Sequence, residues 1–437
     1  MGRKRQQRSL AVWMNHERVA TWQINPQGVH SLSYHPSWID SAAARPLSLS
    51  LPLAKQTISG PVVERFFDNL LPDNIDIRQR IQANFGVPSN SAFDLLAEIG
   101  RDCIGAVQLL PEGSTPETKD IQAFRLSEKA VAARIRELPK ARGGLAGNSD
   151  DFRISLAGAQ EKLALLNCNG IWYRPVGSTP TTHILKLPLG RFGVNDIDMS
   201  QSVYNELFCG ELLRAFGLPV ANSEIQTFED QTVLVVERFD RQWHNDQLIR
   251  LPQEDCCQAL GVASGLKYQA DGGPGMADMM ALLQNSQTPL QDRRQFFKAQ
   301  LLFYCLGAID GHAKNFSLFL KRQGQFQLTP LYDVMSVYPV MGTKAGQIAL
   351  QKVKMAMAVY GQTPHYKWQE IKARHWQSTA KRCGFDGQLQ GVVEEITQQA
   401  ESAITQTQRL LPQDFPAEVA ESIVAGFRSG LSKLAAI

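Results

Sequence analysis

At 437 residues the chain exceeds what a single core supports, so two or more domains are expected, and 43% apolar with 20% charged residues is the composition of an ordinary globular protein. Arg3, Lys4, Arg5 and Arg8 lie in the first eight residues. Without them the formal net charge of +3 becomes −1, so global charge makes no case for nucleic-acid binding by the body of the chain.

Residues 1–9 read as a solvated basic tail. Leu10 to Met14, Val19 to Ile24 and Val29 to Tyr34 are short apolar runs separated by turn-forming residues, a β-meander. Leu47 to Leu51 alternates strictly and reads as a half-buried strand ended by Pro52. Helices are expected over Pro61 to Leu71, with Phe66, Phe67 and Leu70 on one face, and over Ser91 to Ile99. A strand follows from Cys103 to Leu110. A charged helix runs to Leu138, and the glycines at 143, 144 and 147 place a domain boundary near 145, giving an N-terminal subdomain over 10–145.

A second sheet is expected over 150–260, with strands at Phe152 to Leu156, Leu163 to Leu166, His183 to Leu187 and Val233 to Val236. The helix Ser202 to Phe216 stops at Gly217 with Pro219 beyond. From Gly261 to the end the patterns are mainly helical, interrupted by a loop at Asp310 and a hairpin from Phe316 to Asp333. Seven cysteines occur without a C-x-x-C pair, no apolar run reaches the ~18 residues of a membrane span, and no signal-peptide core is present. Cytoplasmic residence with no membrane partner is the expectation.

Asp310-Gly311-His312-Ala313-Lys314-Asn315, followed by Leu331-Tyr332-Asp333, carries the chemistry. Phosphoryl transfer from ATP needs one carboxylate at the attacking hydroxyl, and a carboxylate and an amide on Mg²⁺. The Asp-x-x-x-x-Asn spacing is that of a kinase catalytic loop. On this reading Asp310 is the base or orients the nucleophile, and Asn315 and Asp333 are the metal ligands. Lys186, central in an apolar strand, must bury its stem and find partners for its charge; phosphates and an acid of the next helix would supply them. Glu206 is the first candidate for that acid, and Glu211 is also available.

The turn Ser155-Leu156-Ala157-Gly158-Ala159-Gln160-Glu161-Lys162 stands where a phosphate-covering loop belongs, although it matches no glycine-rich motif. Glu237-Arg238-Phe239 reads as an interlobe hinge at the adenine edge, and Asp240 as a ribose ligand or a charged turn. His312 braces Asp333 or a phosphate, or is structural. Lys314 neutralises the transferred phosphate or is a solvated loop lysine. The absence of H-x-H, H-E-x-x-H and G-x-S-x-G puts metallohydrolase and serine hydrolase chemistry well behind. Strand, turn, strand, lysine strand, helix, strands, linker, helices, loop and hairpin follow one another as in a two-lobed kinase. An α+β fold is therefore expected, with a mainly helical C-terminal lobe over 261–437.

Residues 152–162, 182–188, 236–240, 310–316 and 331–333 resemble the HipA family of serine/threonine-protein kinase toxins, as do 45–52, 66–73 and 98–102 in the N-terminal part. The loop also resembles D-R-H-x-x-N of phosphoinositide kinases, with Gly311 in place of the arginine. The resemblance implies ATP and Mg²⁺ as cofactors. It makes Asp310 catalytic, with Lys186, Asn315 and Asp333 in the nucleotide and metal set. Residues 157–162, 237–240, 312–315 and Tyr332 would lie around ATP. It further implies glutamate–tRNA ligase as substrate, Ser155 as an inactivating autophosphorylation site, a HipB-type helix-turn-helix antitoxin as partner, and operator DNA, with Lys381 and Arg382 either its contacts or a solvated helix face. A kinase-shaped corepressor with little catalysis, or a small-molecule or lipid kinase, are the other readings.

Overall fold

The structure, a computed structural model, describes residues 7–116, 120–138, 160–192 and 196–436. In the N-terminal domain β1 (Arg8–Met14), β2 (Glu17–Ile24), β3 (His30–Tyr34), β4 (Ile58–Ser59) and β5 (Val107–Pro111) form an antiparallel sheet in the order β4-β3-β2-β1-β5. The β1–β2 hairpin turns through Asn15 and His16, both with positive φ, as a two-residue turn requires. The short α1 (Pro36–Ile39) follows β3, and α2 (Pro61–Asp68), α3 (Ile75–Phe85) and α4 (Ala92–Ile99) pack beside the sheet, where Trp22 stacks on Phe67 at 3.9 Å between ring centroids. Helix α3 is not anticipated from the sequence: only Ile81 among its side chains is buried, so its apolar stripe is too thin to read.

Leu47 to Leu51 is not a strand. A bridge between Ser48 and Leu51 closes a tight turn, with Leu47 and Leu51 buried beneath it. The polar positions face the other way. Ser50 Oγ donates to Gln258 O at 2.7 Å, and the Leu49 N–H donates to Glu254 Oε1 at 2.9 Å. Alternation here serves docking between domains rather than a sheet.

Glu254 is fully buried, and burial pushes its pKa up to about 8. The folded chain therefore keeps a proton that the unfolded chain releases above about 4.5, and stability falls as pH rises from about 4.5 to about 8. Glu254→Gln is expected to flatten the wild-type loss of stability between pH 5 and pH 8 by about 2–4 kcal/mol. Urea denaturation at both pH values measures this, and equal slopes for the two proteins would refute it.

The second sheet contains β6 (Ala123–Arg125), β7 (Lys162–Cys168), β8 (Ile171–Pro175), β9 (His183–Lys186), β12 (Ser223–Phe228) and β13 (Gln231–Glu237), in the order β12-β13-β9-β7-β8-β6. Between β9 and β12 come the small hairpin of β10 (Gly190–Phe192) and β11 (Ile197–Met199) and the helix α6 (Ser202–Ala215). The helix α5 (Glu128–Glu137) joins this lobe. Its Val131, Ala132 and Ile135 share a core with Leu163, Leu185 and Val235. The domain boundary therefore falls between Pro111 and Ala123, ahead of the expected 145, because β6 and α5 belong to the second sheet. The expected strand Phe152 to Leu156 lies outside the described residues.

After β13 come the hairpin β14 (Arg241–His244) and β15 (Gln247–Arg250), then β16 (Gln253–Asp255) and α7 (Cys256–Ala259). The C-terminal lobe is built on α8 (Met276–Leu283), α9 (Pro289–Leu306), which is buried from Phe296 onward, α10 (Ala373–Arg382), α11 (Asp386–Leu410) and α12 (Ala417–Leu434). It also holds β17 (Ser317–Leu320), β18 (Phe326–Leu328) and the hairpin of β19 (Lys354–Tyr360) and β20 (Pro364–Lys367), the last of these unanticipated. Because β16 pairs with β17, this lobe takes in residues from Gln253 rather than from 261.

A buried ion cluster ties the N-terminal domain to the second sheet. Asp102 pairs with Arg238 (3.2 Å), Arg241 (2.8 Å) and Arg250 (3.0 Å), and Asp240 with Arg238 (2.8 Å) and Arg241 (3.0 Å). The backbone N–H of Gly105 also donates to Asp240, at 2.6 Å. Gly105 has φ +73°, and a Cβ there would lie 2.5 Å from Gln253 O, so only glycine allows this approach. No helix among the described residues is long and apolar enough to cross a membrane.

Candidate active site

A cavity of about 970 Å³ lies where the second sheet meets the C-terminal lobe, and Asn69, Leu70, Asp73 and Asn74 of the N-terminal domain line part of it. Strand register supplies its cations. Lys186 of β9 stands opposite Lys162 of β7, and both line the cavity. Lys186 Nζ reaches Glu206 Oε1 of α6 at 2.5 Å and Asp333 Oδ1 at 2.9 Å. Glu206, not Glu211, is thus the helix acid; Glu211 pairs with Arg214. Burial alone would discharge Lys186, but Asp333 and Glu206 outweigh it and hold the ammonium charged. Burial likewise works against the Asp333 carboxylate, and Lys186 and Lys162 overcome it, keeping its pKa below the usual range. Glu206 is shifted upward, by burial first.

Asp333 has φ +61°, in the left-handed region that a non-glycine residue adopts at a cost. Tyr332 pins the neighbouring chain, its hydroxyl contacting Ser317 Oγ at 2.6 Å and donating to Lys314 O at 2.8 Å. The loop from Asp310 turns tightly, with the His312 N–H donating to Asp310 O at 2.8 Å, and Ala313–Asn315 form a 3₁₀ turn. A Cβ on Gly311 would lie 2.7 Å from the Phe303 ring, which explains glycine where the lipid-kinase loop carries arginine.

Asp310 is exposed at the mouth of the cavity and accepts a hydrogen bond from the Tyr268 hydroxyl at 2.7 Å. Burial pushes the His312 pKa down to about 3, with Lys267 adding to the effect, so the imidazole is neutral. Among the described residues, His312 Nδ1 and Asn315 Oδ1 are both buried without a hydrogen-bond partner. The Asn315 amide N–H₂ donates to Asp333 O at 3.3 Å, which fixes which end of the amide carries the orphaned oxygen.

That orphaned oxygen tests the fit of a divalent cation. Mg²⁺ takes oxygen ligands and is bound through one or two protein groups plus substrate phosphates and water. Asn315 Oδ1 and the Asp333 carboxylate are such a pair, and a buried carbonyl oxygen with nothing to accept from is costly unless a ligand meets it. The residues fit. Among the described residues no group of three or more His, Cys, Asp or Glu is placed to hold a metal.

Several expected nucleotide residues have other partners. Lys314 is buried rather than solvated. Its Nζ binds Asp73 Oδ1 at 2.7 Å and Asn69 O at 3.3 Å, while Lys267 takes the other Asp73 oxygen at 2.9 Å. Burial opposes the Asp73 charge, but the two lysines hold its pKa down to about 2. The carboxylate of Asp240, read as a ribose ligand, and the guanidinium of Arg238 are spent on the interdomain cluster. In the hinge, the Glu237 N–H donates to Asn222 O and the Arg238 N–H to Thr182 O. Phe239 lines the cavity beside them.

Gln160 and Glu161 also line the cavity, the first bonded to Leu187 O and the second paired with Arg80 of α3. Ala313 is buried within the loop. Ser155, Ala157, Gly158 and Ala159 lie outside the described residues. Lys381 and Arg382 are exposed in the last turn of α10, away from the cavity lining, with the Arg382 guanidinium 4.2 Å from the Tyr360 ring centroid. Sequence reasoning missed Asp73, Lys267 and Tyr268. The Phe66–Asp73 motif signalled the first, whereas Lys267 and Tyr268 sit in a loop with no periodic pattern.

Comparison with known proteins agrees with this geometry. Residues 154–404 match the HipA-like C-terminal domain, and residues 10–110 match the HipA N-terminal domain. The chain is 35% identical over 385 residues to the Y4mE protein of Sinorhizobium fredii, covering 86% of each, a protein whose name proposes a kinase. It is 29% identical over 321 residues to the serine/threonine-protein kinase toxin HipA of Shewanella oneidensis, covering 70% of each. The fold matches HipA in the solved complex of the Shewanella oneidensis MR-1 toxin–antitoxin system HipA, HipB and its operator DNA, with a TM-score of 0.78 at 23% identity over 98% of this chain and 99% of that one. With both domains matched and a relative at 35% identity along most of its length, this chain belongs to the HipA family of kinases.

Proposed function

We propose that the protein is an ATP- and Mg²⁺-dependent serine/threonine-protein kinase serving as the growth-arresting toxin of a toxin–antitoxin pair, with glutamate–tRNA ligase as its substrate. The observation that carries this reading is the Lys186–Asp333 pair beside the orphaned oxygen of Asn315, in a cavity with Asp310 at its mouth. Lys186 and Lys162 face the phosphates. Asn315 and Asp333 hold Mg²⁺, which when bound neutralises charge on the phosphate oxygens. Asp310 takes the proton of the acceptor hydroxyl as that oxygen attacks the γ-phosphorus and the bond to ADP breaks. The Phe239 backbone serves the adenine edge.

The toxin role is supported by the similarity to the Shewanella oneidensis kinase toxin. A HipB-type antitoxin and operator DNA are the partners that the related complex suggests, and the exposed Lys381 and Arg382 are the basic residues offered for phosphate contact. Autophosphorylation at Ser155 rests on the family resemblance. A dianion there would repel nucleotide phosphates.

The test is to incubate the purified protein with labelled ATP, Mg²⁺ and a bacterial lysate, and to identify what carries label. Label is expected on glutamate–tRNA ligase and on the kinase itself, with Ser155→Ala removing the second signal in intact-mass measurement. Label on metabolites or lipids alone would replace this reading with a small-molecule kinase.

A further inference from the structure

Asp310 is an exposed side chain just ahead of a glycine, with two rotatable bonds between its backbone and its carboxylate. A base of this kind works only when one oxygen is held within hydrogen-bond reach of the acceptor hydroxyl. The Tyr268 hydroxyl, 2.7 Å from Asp310 Oδ1, is the one side-chain donor that holds it among the described residues.

Tyr268 is itself fixed from three sides. Its carbonyl accepts from the N–H groups of Asp271 (3.1 Å) and Gly273 (3.0 Å), and a Cβ at Gly273 would lie 1.9 Å from Leu266 O, so the loop closes this tightly only with glycine. The next residue, Gln269, anchors the loop to β19, donating to the Tyr360 hydroxyl and accepting from the Ala358 N–H, both at 2.7 Å. The Tyr268 ring meets His312 edge to face, with centroids 5.0 Å apart. Lys267 Nζ lies 5.5 Å from the ring centroid and pairs with Asp73 of the N-terminal domain. These anchors use the backbone and the ring. Among the described residues the hydroxyl's one partner is Asp310, so the fold does not need it. A single exposed hydrogen bond adds little to stability.

We propose that Tyr268 is a positioning residue for phosphotransfer, its hydroxyl holding Oδ1 of Asp310 so that the remaining carboxylate oxygen meets the acceptor hydroxyl. This rests on reading Asp310 as the base. Electrostatics give the proposal a readout that a merely structural tyrosine would not move. Although the side chain reaches the cavity mouth, desolvation by the surrounding walls favours its protonated form, as do Asp333 and Asp73, whereas the Tyr268 O–H and Lys267 favour the ionised carboxylate. Removing the hydroxyl shifts that balance toward the protonated, inactive carboxyl.

The experiment measures transfer from MgATP to two purified acceptors, glutamate–tRNA ligase and an Asp310→Gln copy of this chain, as a function of pH. For Tyr268→Phe the expected result is a kcat lower by about 10-fold or more, an acid limb of kcat/KM moved to higher pH, and an unchanged KM for ATP. Fluorotyrosine incorporated at position 268, a stronger donor of nearly the same shape, is expected to move the limb to lower pH, so the test does not depend on the phenylalanine variant folding. Wild-type kcat and an unmoved limb in both variants, with Asp310→Gln inactive, would overturn the positioning role alone. Equal activity of wild-type and Asp310→Gln proteins would overturn the kinase reading and this inference with it.

Discussion

Asp310→Gln is expected to fold, bind nucleotide and transfer phosphate at least about 10²-fold more slowly than wild type, the low end for removing a general base. The side chain is exposed and belongs to no ion pair among the described residues, so its neutralisation leaves the core and the Lys186 network intact. The comparison to make is initial-rate transfer to protein with circular dichroism of both proteins. Growth arrest on expression should vanish in parallel. Toxicity that persists without transfer would favour the corepressor reading, in which the protein bridges antitoxin on DNA and catalysis is incidental. Retained transfer would remove Asp310 from its role.

The second large effect concerns stability. Asp102→Ala leaves Arg238, Arg241 and Arg250 facing one another in the interior, with Asp240 as their one remaining carboxylate in the cluster. Asp102 and all three guanidiniums are almost wholly buried, and breaking such a pair from one side costs about 3–5 kcal/mol. Urea unfolding should show a loss of that order, with the N-terminal domain exposed to protease at lower denaturant than in wild type. A loss below about 1 kcal/mol would mean that the cluster does not clamp the domains. The same arrangement explains why Arg238 and Asp240, close to the hinge in sequence, have side chains engaged away from a nucleotide.

The elements of the proposed site were the most legible part of the chain. Asp310, Asn315 and Asp333 were readable because spacing along a short loop and hairpin is a local property, and Lys186 stood out as a charge in an apolar strand. Choosing Glu206 over Glu211 needed the third dimension: both lie on α6, and only the contact to Lys186 separates them. Contacts between domains were invisible. Nothing local marks Asp73 as the partner of Lys314 some 240 positions away, or Asp102 as the centre of three arginines. The alternation at Leu47 to Leu51 misled because burial on one side and hydrogen bonding to another domain on the other produce the same pattern as a strand. Residues 123–137 were assigned to the wrong domain because glycines are a louder boundary signal than a three-residue edge strand.

On the reading proposed above, Lys186, Asp333 and Asn315 form a magnesium–nucleotide cleft served by Asp310. Calorimetric titration of ATP into the Asp310→Gln protein tests it most directly, with and without Mg²⁺, beside the same titration of an Asp333→Asn protein. One site whose affinity rises at least about tenfold with Mg²⁺, a gain that Asp333→Asn abolishes, is the expected result. Binding of equal strength with and without Mg²⁺, or a gain that survives Asp333→Asn, would contradict it.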